Sequence, residues 1–155
     1  TWTYDPLESK NAYLNLTKLH AFSKTYINNC YGEMEDSLNK GLPTDRLKVE
    51  WWINSKGSNI LETSAVNHFL INFNKKYPFI EHVDDTLTKI HDDKQVLVPI
   101  PANFQEIKKE DNALAQKWRF QIREIFHSLF SKDYLVVSLV KGEKDINYYL
   151  FKKQE

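Results

Sequence analysis

Apolar side chains recur along this chain at two different spacings, and each spacing predicts a kind of secondary structure. Spacings of three and four residues predict helices, and a spacing of two residues predicts strands. Helices are predicted over residues 8–19 and 111–131. Strands are predicted over residues 2–4, 21–31, 46–53, 95–100, 134–140 and 146–151. No sustained spacing runs through residues 60–93, so no element is predicted there.

The second helix has the clearest pattern. Its apolar face combines Leu114, Trp118, Ile122, Ile125, Phe126, Leu129 and Phe130. A stripe of this width predicts a helix that covers a sheet. Arg119 and Arg123 lie one helical turn apart and could hold a phosphate, but a solvated face is the preferred interpretation.

The order of the elements predicts the fold class. The strands 21–31 and 46–53 are separated by a loop with the turn-forming cluster Gly41-Leu-Pro43, which favours an antiparallel pair. Asn103 and Glu106 have the spacing of a helix start. The last two strands, joined by a short charged turn, predict a hairpin. The chain is therefore predicted to be one α/β (α+β) domain over residues 1–155, a sheet with flanking helices.

Composition narrows the possible partners. Lys plus Arg and Asp plus Glu number 21 each, so no global field favours nucleic acid or an anionic membrane surface. The longest apolar run, residues 134–140, is far shorter than the roughly 20 residues of a membrane-spanning helix. Cys30 is the only cysteine, which excludes an intrachain disulfide. We expect a cytoplasmic protein in which Cys30 is buried as a small apolar residue.

The loop before the third strand, with the start of that strand, is the best candidate for a substrate site. Glu33, Asp45 and Arg46 offer charges of both signs beside the aromatic Tyr31 and Trp51. The alternative is a turn with surface ion pairs, each worth under about 1 kcal/mol. Both interpretations stay open at the level of the sequence.

Two clusters carry side chains that bind divalent ions, His82-Val-Asp-Asp85 and His91-Asp-Asp93. Neither has the spacing of two histidines on one helical face that zinc hydrolases use. We therefore predict hydrated loops at both clusters and no metal cofactor.

A family resemblance rests on several segments of the first 52 residues. They are Trp2-Thr-Tyr-Asp-Pro-Leu-Glu8, Asn11-Ala12, Lys18-Leu19, Tyr31-Gly-Glu-Met34 and Leu38-Asn-Lys-Gly-Leu-Pro-Thr-Asp-Arg46. With them the chain resembles a family of predicted acetyltransferases of the GNAT superfamily. The resemblance implies the C-terminal part of a GNAT-like mixed sheet, with the later core in residues 1–54. Residues 55–155 then form a C-terminal extension with an added strand, helix and hairpin.

One motif of the superfamily is missing. Its members hold the pyrophosphate of acyl-CoA with a loop of the type Gln/Arg-x-x-Gly-x-Gly/Ala that leads into a helix, and no segment of this chain has that pattern. The chain also starts inside a predicted strand without an initiator Met. We therefore expect it to be part of a longer protein whose other part holds the pyrophosphate.

The resemblance implies roles for residues around the first strand and helix. In the superfamily, a strand feeds a helix whose Asn contacts the pantetheine arm and whose Tyr acts as general acid. Asp5, Asn11 and Asn15 are the implied acyl-CoA contacts, and Glu8 and Tyr31 are the implied catalytic residues. Leu16 stands near the Tyr position and cannot protonate a departing thiolate.

The resemblance implies an acyl-CoA-dependent N-acyltransferase that transfers an acyl group from acetyl-CoA, or from another acyl-CoA, to a small amine. A first alternative is an N-succinyltransferase acting on an amino acid, in which Arg46 suits a carboxylate. A second alternative is a non-catalytic binding or oligomerisation module, which the missing loop and Leu16 favour. The expected partner is a small-molecule amine, and a homodimer is left open.

Overall fold

The computed structural model describes residues 1–30, 42–51 and 65–154. Its strands are β1 (Trp2–Tyr4), β2 (Ala21–Ile27), β3 (Arg46–Trp51), β4 (Leu70–Asn72), β5 (Phe79–Glu81), β6 (Gln95–Pro101), β7 (Tyr134–Lys141) and β8 (Ile146–Lys153). Its helices are α1 (Ser9–Ala12), a π-helical segment (Tyr13–Lys18), α2 (Val83–Lys89), α3 (Phe104–Glu110) and α4 (Asn112–Ser131). None of these helices is both long enough and apolar enough to cross a membrane.

Six strands form one sheet in the order β1-β3-β2-β7-β8-β6, and β4 and β5 form a separate two-stranded hairpin. The predicted antiparallel pair of β2 and β3 and the predicted hairpin of β7 and β8 are confirmed. Every pair of neighbouring strands in the described sheet is antiparallel. The fold is thus α+β, and the expected mixed sheet is not seen among the described strands.

Three sequence predictions need correction. Strand β2 ends at Ile27, earlier than predicted, and Asn29 then takes a left-handed backbone conformation with φ 47°. Cys30 is exposed, because it follows this turn and is not part of the strand. The His82 cluster is the start of α2 and not a loop, and the hairpin of β4 and β5 precedes it.

The predicted first helix is present, but its second half is a π-helix. Sheet pairing between β2 and β7 is limited to Ser23 and Val136, so the two strands separate beyond this pair. The hydroxyl of Thr17 bonds Leu139 instead, accepting from its N–H at 3.0 Å and donating to its carbonyl at 2.9 Å. The π-helical segment thus takes the place of a strand partner beside β7.

Helix α4 covers one face of the sheet, as predicted. The Asp111 carboxylate caps its start by accepting from the Leu114 N–H at 3.1 Å. The predicted start of α3 is also confirmed, because the Asn103 side chain accepts from the Glu106 N–H. Ala115, Trp118, Ile122, Ile125, Phe126 and Leu129 are buried against the sheet.

The two edge strands of the sheet, β6 and β1, differ in what their outer edges offer to a further strand. Along β6, the Leu97 N–H donates to the Val66 carbonyl at 2.9 Å on the side away from β8. Pro99 and Pro101 follow at alternate positions, and proline has no N–H to offer there. Two of the outward positions of β6 therefore offer no N–H to a further strand. By contrast, β1 has no proline and no lysine, and none of the described strands pairs with its outer edge.

Candidate functional site

The candidate site is built around the turn that leads from β1 into α1. The Asp5 carboxylate accepts from the Leu7 N–H at 2.9 Å, and the Asp5 carbonyl accepts from the Glu8 N–H at 3.0 Å. Pro6 fixes the backbone between them. These bonds stop the strand and set the direction in which the helix starts.

Arg119, on α4, forms a salt bridge with Asp5 in this turn. Its guanidinium donates two hydrogen bonds to the Asp5 carboxylate, at 2.6 and 2.7 Å, and the Arg119 side chain is only 2% exposed. The predicted solvated face is therefore wrong for Arg119, which occupies the buried stripe with Ala115, Ile122 and Phe126. Burial alone would lower the pKa of Arg119, but its bonds with Asp5 raise the pKa, so the guanidinium stays charged.

Arg123, one turn later, makes the matching contact with Asp45. Its Nε and Nη2 donate to the fully buried carboxylate of Asp45 at 3.0 and 2.7 Å. The Tyr26 hydroxyl donates at 2.7 Å and the Asn29 N–H at 2.8 Å. Burial by itself would raise the pKa of Asp45, but these bonds outweigh it and hold the pKa below its ordinary value. The alternative prediction for this loop is a turn with surface ion pairs, and it is wrong for Asp45, whose carboxylate is buried.

The lowered pKa of Asp45 predicts a pH-dependent stability. A group whose folded pKa is depressed stabilises the fold above its ordinary pKa, and loses that contribution as the pH falls through the folded value. Asp45→Asn is therefore expected to destabilise the protein at about pH 7, and to cost much less near pH 2. Urea unfolding across this range measures the difference. Asp92→Asn, at an exposed position, is the control, and a cost of Asp45→Asn that is the same at every pH would contradict the prediction.

Two tyrosines connect the same turn to β8. The Tyr149 hydroxyl on β8 donates to the Pro6 carbonyl at 2.5 Å and lies 3.1 Å from the Tyr4 hydroxyl. Burial raises the pKa of both phenols, so both stay protonated. The turn is therefore held by α4 on one side and β8 on the other.

The two asparagines of the predicted acyl-CoA contact differ in what they do. Asn15 is buried, and its amide accepts from the Trp2 indole at 2.7 Å and donates to the Asn11 carbonyl at 2.8 Å. Asn11 is exposed, and only its backbone takes part in that contact. Asn15 therefore fastens the helix to β1, and Asn11 is the one whose side chain faces solvent.

Trp51 lies next to this helix and strand. Trp51 is 57% exposed, and its ring meets that of Trp2 edge-on with ring centroids 5.0 Å apart. Its indole N–H donates to the Leu19 carbonyl at 3.1 Å. Together with exposed Leu14 and Leu19, the two indoles make an apolar surface beside β1.

The remaining predicted site residues fall into three groups. Glu8 is half-buried, and its carboxylate accepts a hydrogen bond from the Gln105 amide on α3. Arg46 is half-buried and starts β3 opposite Ile27. Tyr31 and Glu33 lie outside the described residues. The structure thus gathers Asp5, Glu8, Asn11, Asn15 and Trp51 around the first strand and helix, and fixes Asp45 through α4.

Sequence reasoning missed the partners of these residues, chiefly Arg119, Arg123, Tyr26 and Tyr149. One signal was available for Arg119, because it lies four residues after Ala115 and three before Ile122, inside the apolar stripe. Among the residues that the structure describes, no group of three or more His, Cys, Asp or Glu side chains is arranged to hold a metal ion.

No family model, curated protein or solved structure matches this chain.

Proposed function

We propose that this chain forms part of an acyl-CoA-dependent N-acyltransferase, which transfers an acyl group from acetyl-CoA or a related thioester to a small amine. The proposal joins the resemblance of residues 2–52 to the GNAT superfamily with the geometry around β1.

The observation that carries the proposal is the outer edge of β1. This edge bears no described strand, and the chain turns directly from it into the helix with exposed Asn11. The pantetheine arm of an acyl-CoA is an extended chain with two amide groups, and such a chain can pair with a strand edge as a peptide does. Asn11, at the start of the helix, would bond an amide of that arm.

Glu8 is the group that would accept the proton of the amine. It lies at the turn after β1, and its bond from Gln105 holds the carboxylate in place. Attack on the thioester requires a neutral amine, because an ammonium group has no lone pair. The nitrogen then bonds the acyl carbon, the carbon–sulfur bond breaks, and CoA leaves as a thiolate.

The departing thiolate needs a proton from a group other than Leu16, which is fully buried and apolar. Tyr13 is a half-buried phenol three residues earlier on the same helical segment. Solvent is an alternative proton source, because a thiolate is a stable leaving group near neutral pH. An apolar residue at position 16 is therefore compatible with the proposed reaction, in which Tyr13 or solvent supplies the proton.

Release of free thiol tests the proposal. We expect the intact gene product to release CoA from acetyl-CoA or succinyl-CoA in the presence of small amines and amino acids. Asn11→Ala should raise the KM for the acyl-CoA by about fivefold to tenfold with little change in kcat, because the contact is remote from the reacting atoms.

The control is Asn74→Ala, which changes an exposed asparagine of the turn between β4 and β5 and should leave both constants unchanged. An unchanged KM in Asn11→Ala would remove Asn11 from the site. Failure to release thiol from either donor, with a panel of amines, would leave the non-catalytic module as the better account.

A further inference from the structure

Helix α3 carries a lysine that is buried without a partner of opposite charge. Lys108 is only 8% exposed, and its Nζ atom lies 5.7 Å from the ring centroid of Phe104, one turn earlier on the same helix. Among the described residues, no carboxylate forms a salt bridge with Lys108 and no oxygen accepts a hydrogen bond from its Nζ atom. A lysine this deeply buried is usually paired, because an ammonium group is costly to remove from water. Lys108 is therefore a candidate for binding an anion that the described residues do not supply.

The Lys108 side chain lies near the proposed proton acceptor, Glu8. Long side chains of a helix lean back toward its start, and the contact between the Lys108 Nζ atom and the Phe104 ring shows that Lys108 does so. The ammonium group thus lies over the turn of α3 that also carries Gln105. Residues three apart on a helix are neighbours, with Cβ atoms about 5–6 Å apart. Because the Gln105 amide donates to the Glu8 carboxylate, Glu8 and Lys108 are both neighbours of Gln105.

Glu8 and Lys108 have opposite charges, and neither is paired with an ion of the part of the chain that the structure describes. The Glu8 carboxylate accepts from the neutral amide of Gln105 and forms no salt bridge with a described residue. The other cation beside the Phe104 ring, Arg119, is already bound to Asp5. One negative and one positive charge thus lie close together without being paired. A zwitterion complements both, because its ammonium donates to a carboxylate and its carboxylate accepts from an ammonium.

We propose that the acceptor of the transferase is an amino acid, whose carboxylate is bound by Lys108 while its amine lies at Glu8. The inference rests on the proposed function, because that function places the amine of the acceptor at Glu8. It adds a second charged group to the acceptor and a residue that recognises this group. An amine without a carboxylate would leave Lys108 unpaired, and an anionic group of the acyl donor would not supply the charge that complements Glu8.

Titration of the intact gene product with L-alanine and with 4-aminobutyrate tests the proposal. These amino acids differ in the separation of amine and carboxylate. The Gln105 side-chain amide signal is followed by NMR at about pH 7, where both are zwitterions, with and without CoA. We expect a saturable shift with at least one of them. Isopropylammonium chloride, which has the amine and no carboxylate, should bind more weakly to the wild type.

Lys108→Met should weaken amino-acid binding about tenfold, as loss of one hydrogen bond between charged groups predicts. Lys108→Arg should restore most of the binding, because it keeps the charge. Lys109→Met, at the exposed next position of α3, is the matched control and should bind like the wild type. Binding of isopropylammonium should be the same in Lys108→Met as in the wild type.

Urea unfolding separates ligand binding from a structural role of Lys108. Without ligand, Lys108→Met should not lower the urea midpoint, because methionine keeps an apolar contact with Phe104 and removes a charge without a partner. A lower midpoint together with unchanged amino-acid binding would overturn the proposal. Amino acids that bind no better than isopropylammonium would also overturn it, and would leave the proposed transferase unaffected. Failure to release thiol would instead contradict the transferase, and the NMR titration would still decide whether Glu8 and Lys108 form an amino-acid site.

Discussion

Replacing Arg119 with methionine is expected to lower the free energy of unfolding by about 3 kcal/mol, because removal of one partner leaves the other charge of a buried pair uncompensated. The pair joins α4 to the turn after β1, and the Arg119 side chain is almost completely enclosed. The loss should be seen in urea unfolding as a lower midpoint with an unchanged slope. A change below about 1 kcal/mol would mean that Asp5 is well solvated without Arg119.

A double-mutant cycle with Asp5→Asn separates the pair from the packing of the methionine. The two carboxylate bonds from Arg119 should make the variants strongly non-additive, with a coupling of at least about 1 kcal/mol. Arg123→Met is the matched comparison on the next turn. Its side chain is 23% exposed, and Asp45 keeps its bonds from Tyr26 and Asn29, so we expect a smaller loss there.

Phe126→Ala is expected to lower the free energy of unfolding by about 4 kcal/mol, as truncation of a buried aromatic side chain leaves a cavity. The Phe126 ring is fully buried. It meets the rings of Tyr26, Phe130, Tyr149 and Phe151 with centroids 4.9 to 5.8 Å apart. These contacts join α4 to β2 and β8 at once.

Phe120→Ala provides the control on the same helix. Phe120 is 47% exposed, so its truncation should change the free energy of unfolding by less than about 1 kcal/mol. Thermal or urea unfolding of both variants gives the comparison. If the two variants lost similar stability, α4 would not pack on the sheet through the face described above.

The elements that could be predicted from the sequence are those whose pattern is local. Helix α4 has a long apolar stripe of one period, and β7 and β8 are strands on either side of a short turn, so both could be identified without tertiary information. The hairpin of β4 and β5 could not, because each strand has only three residues. The π-helical segment depends on Thr17 meeting Leu139, a contact between residues far apart in sequence.

In the candidate site, too, local features could be predicted from the sequence and contacts between distant residues could not. The turn at Asp5 and Pro6 could be predicted, since both residues lie in sequence where the strand ends. The partner of Asp5 could not, because Arg119 lies 114 positions later and its charge alone suggested an exposed face. A charged residue inside an apolar stripe favours a buried ion pair. The pattern does not show where in the sequence the acidic partner lies.

These contacts change which of the predicted site residues are candidates for a role in function. Asp5, Asn15 and Asp45 all bond to other parts of the protein, and these bonds stabilise the scaffold. Asn11 and Glu8 are the ones that keep a polar group at or near the surface beside β1. The proposed transferase therefore depends on these two residues and on the outer edge of β1, with which none of the described strands pairs.

Isothermal titration of the intact gene product with acetyl-CoA, and in parallel with succinyl-CoA, tests the proposed function most directly. We expect saturable binding of at least one of the two, weakened by Asn11→Ala and unaffected by Asn74→Ala. Correctly folded protein that binds neither acyl-CoA would contradict the proposal.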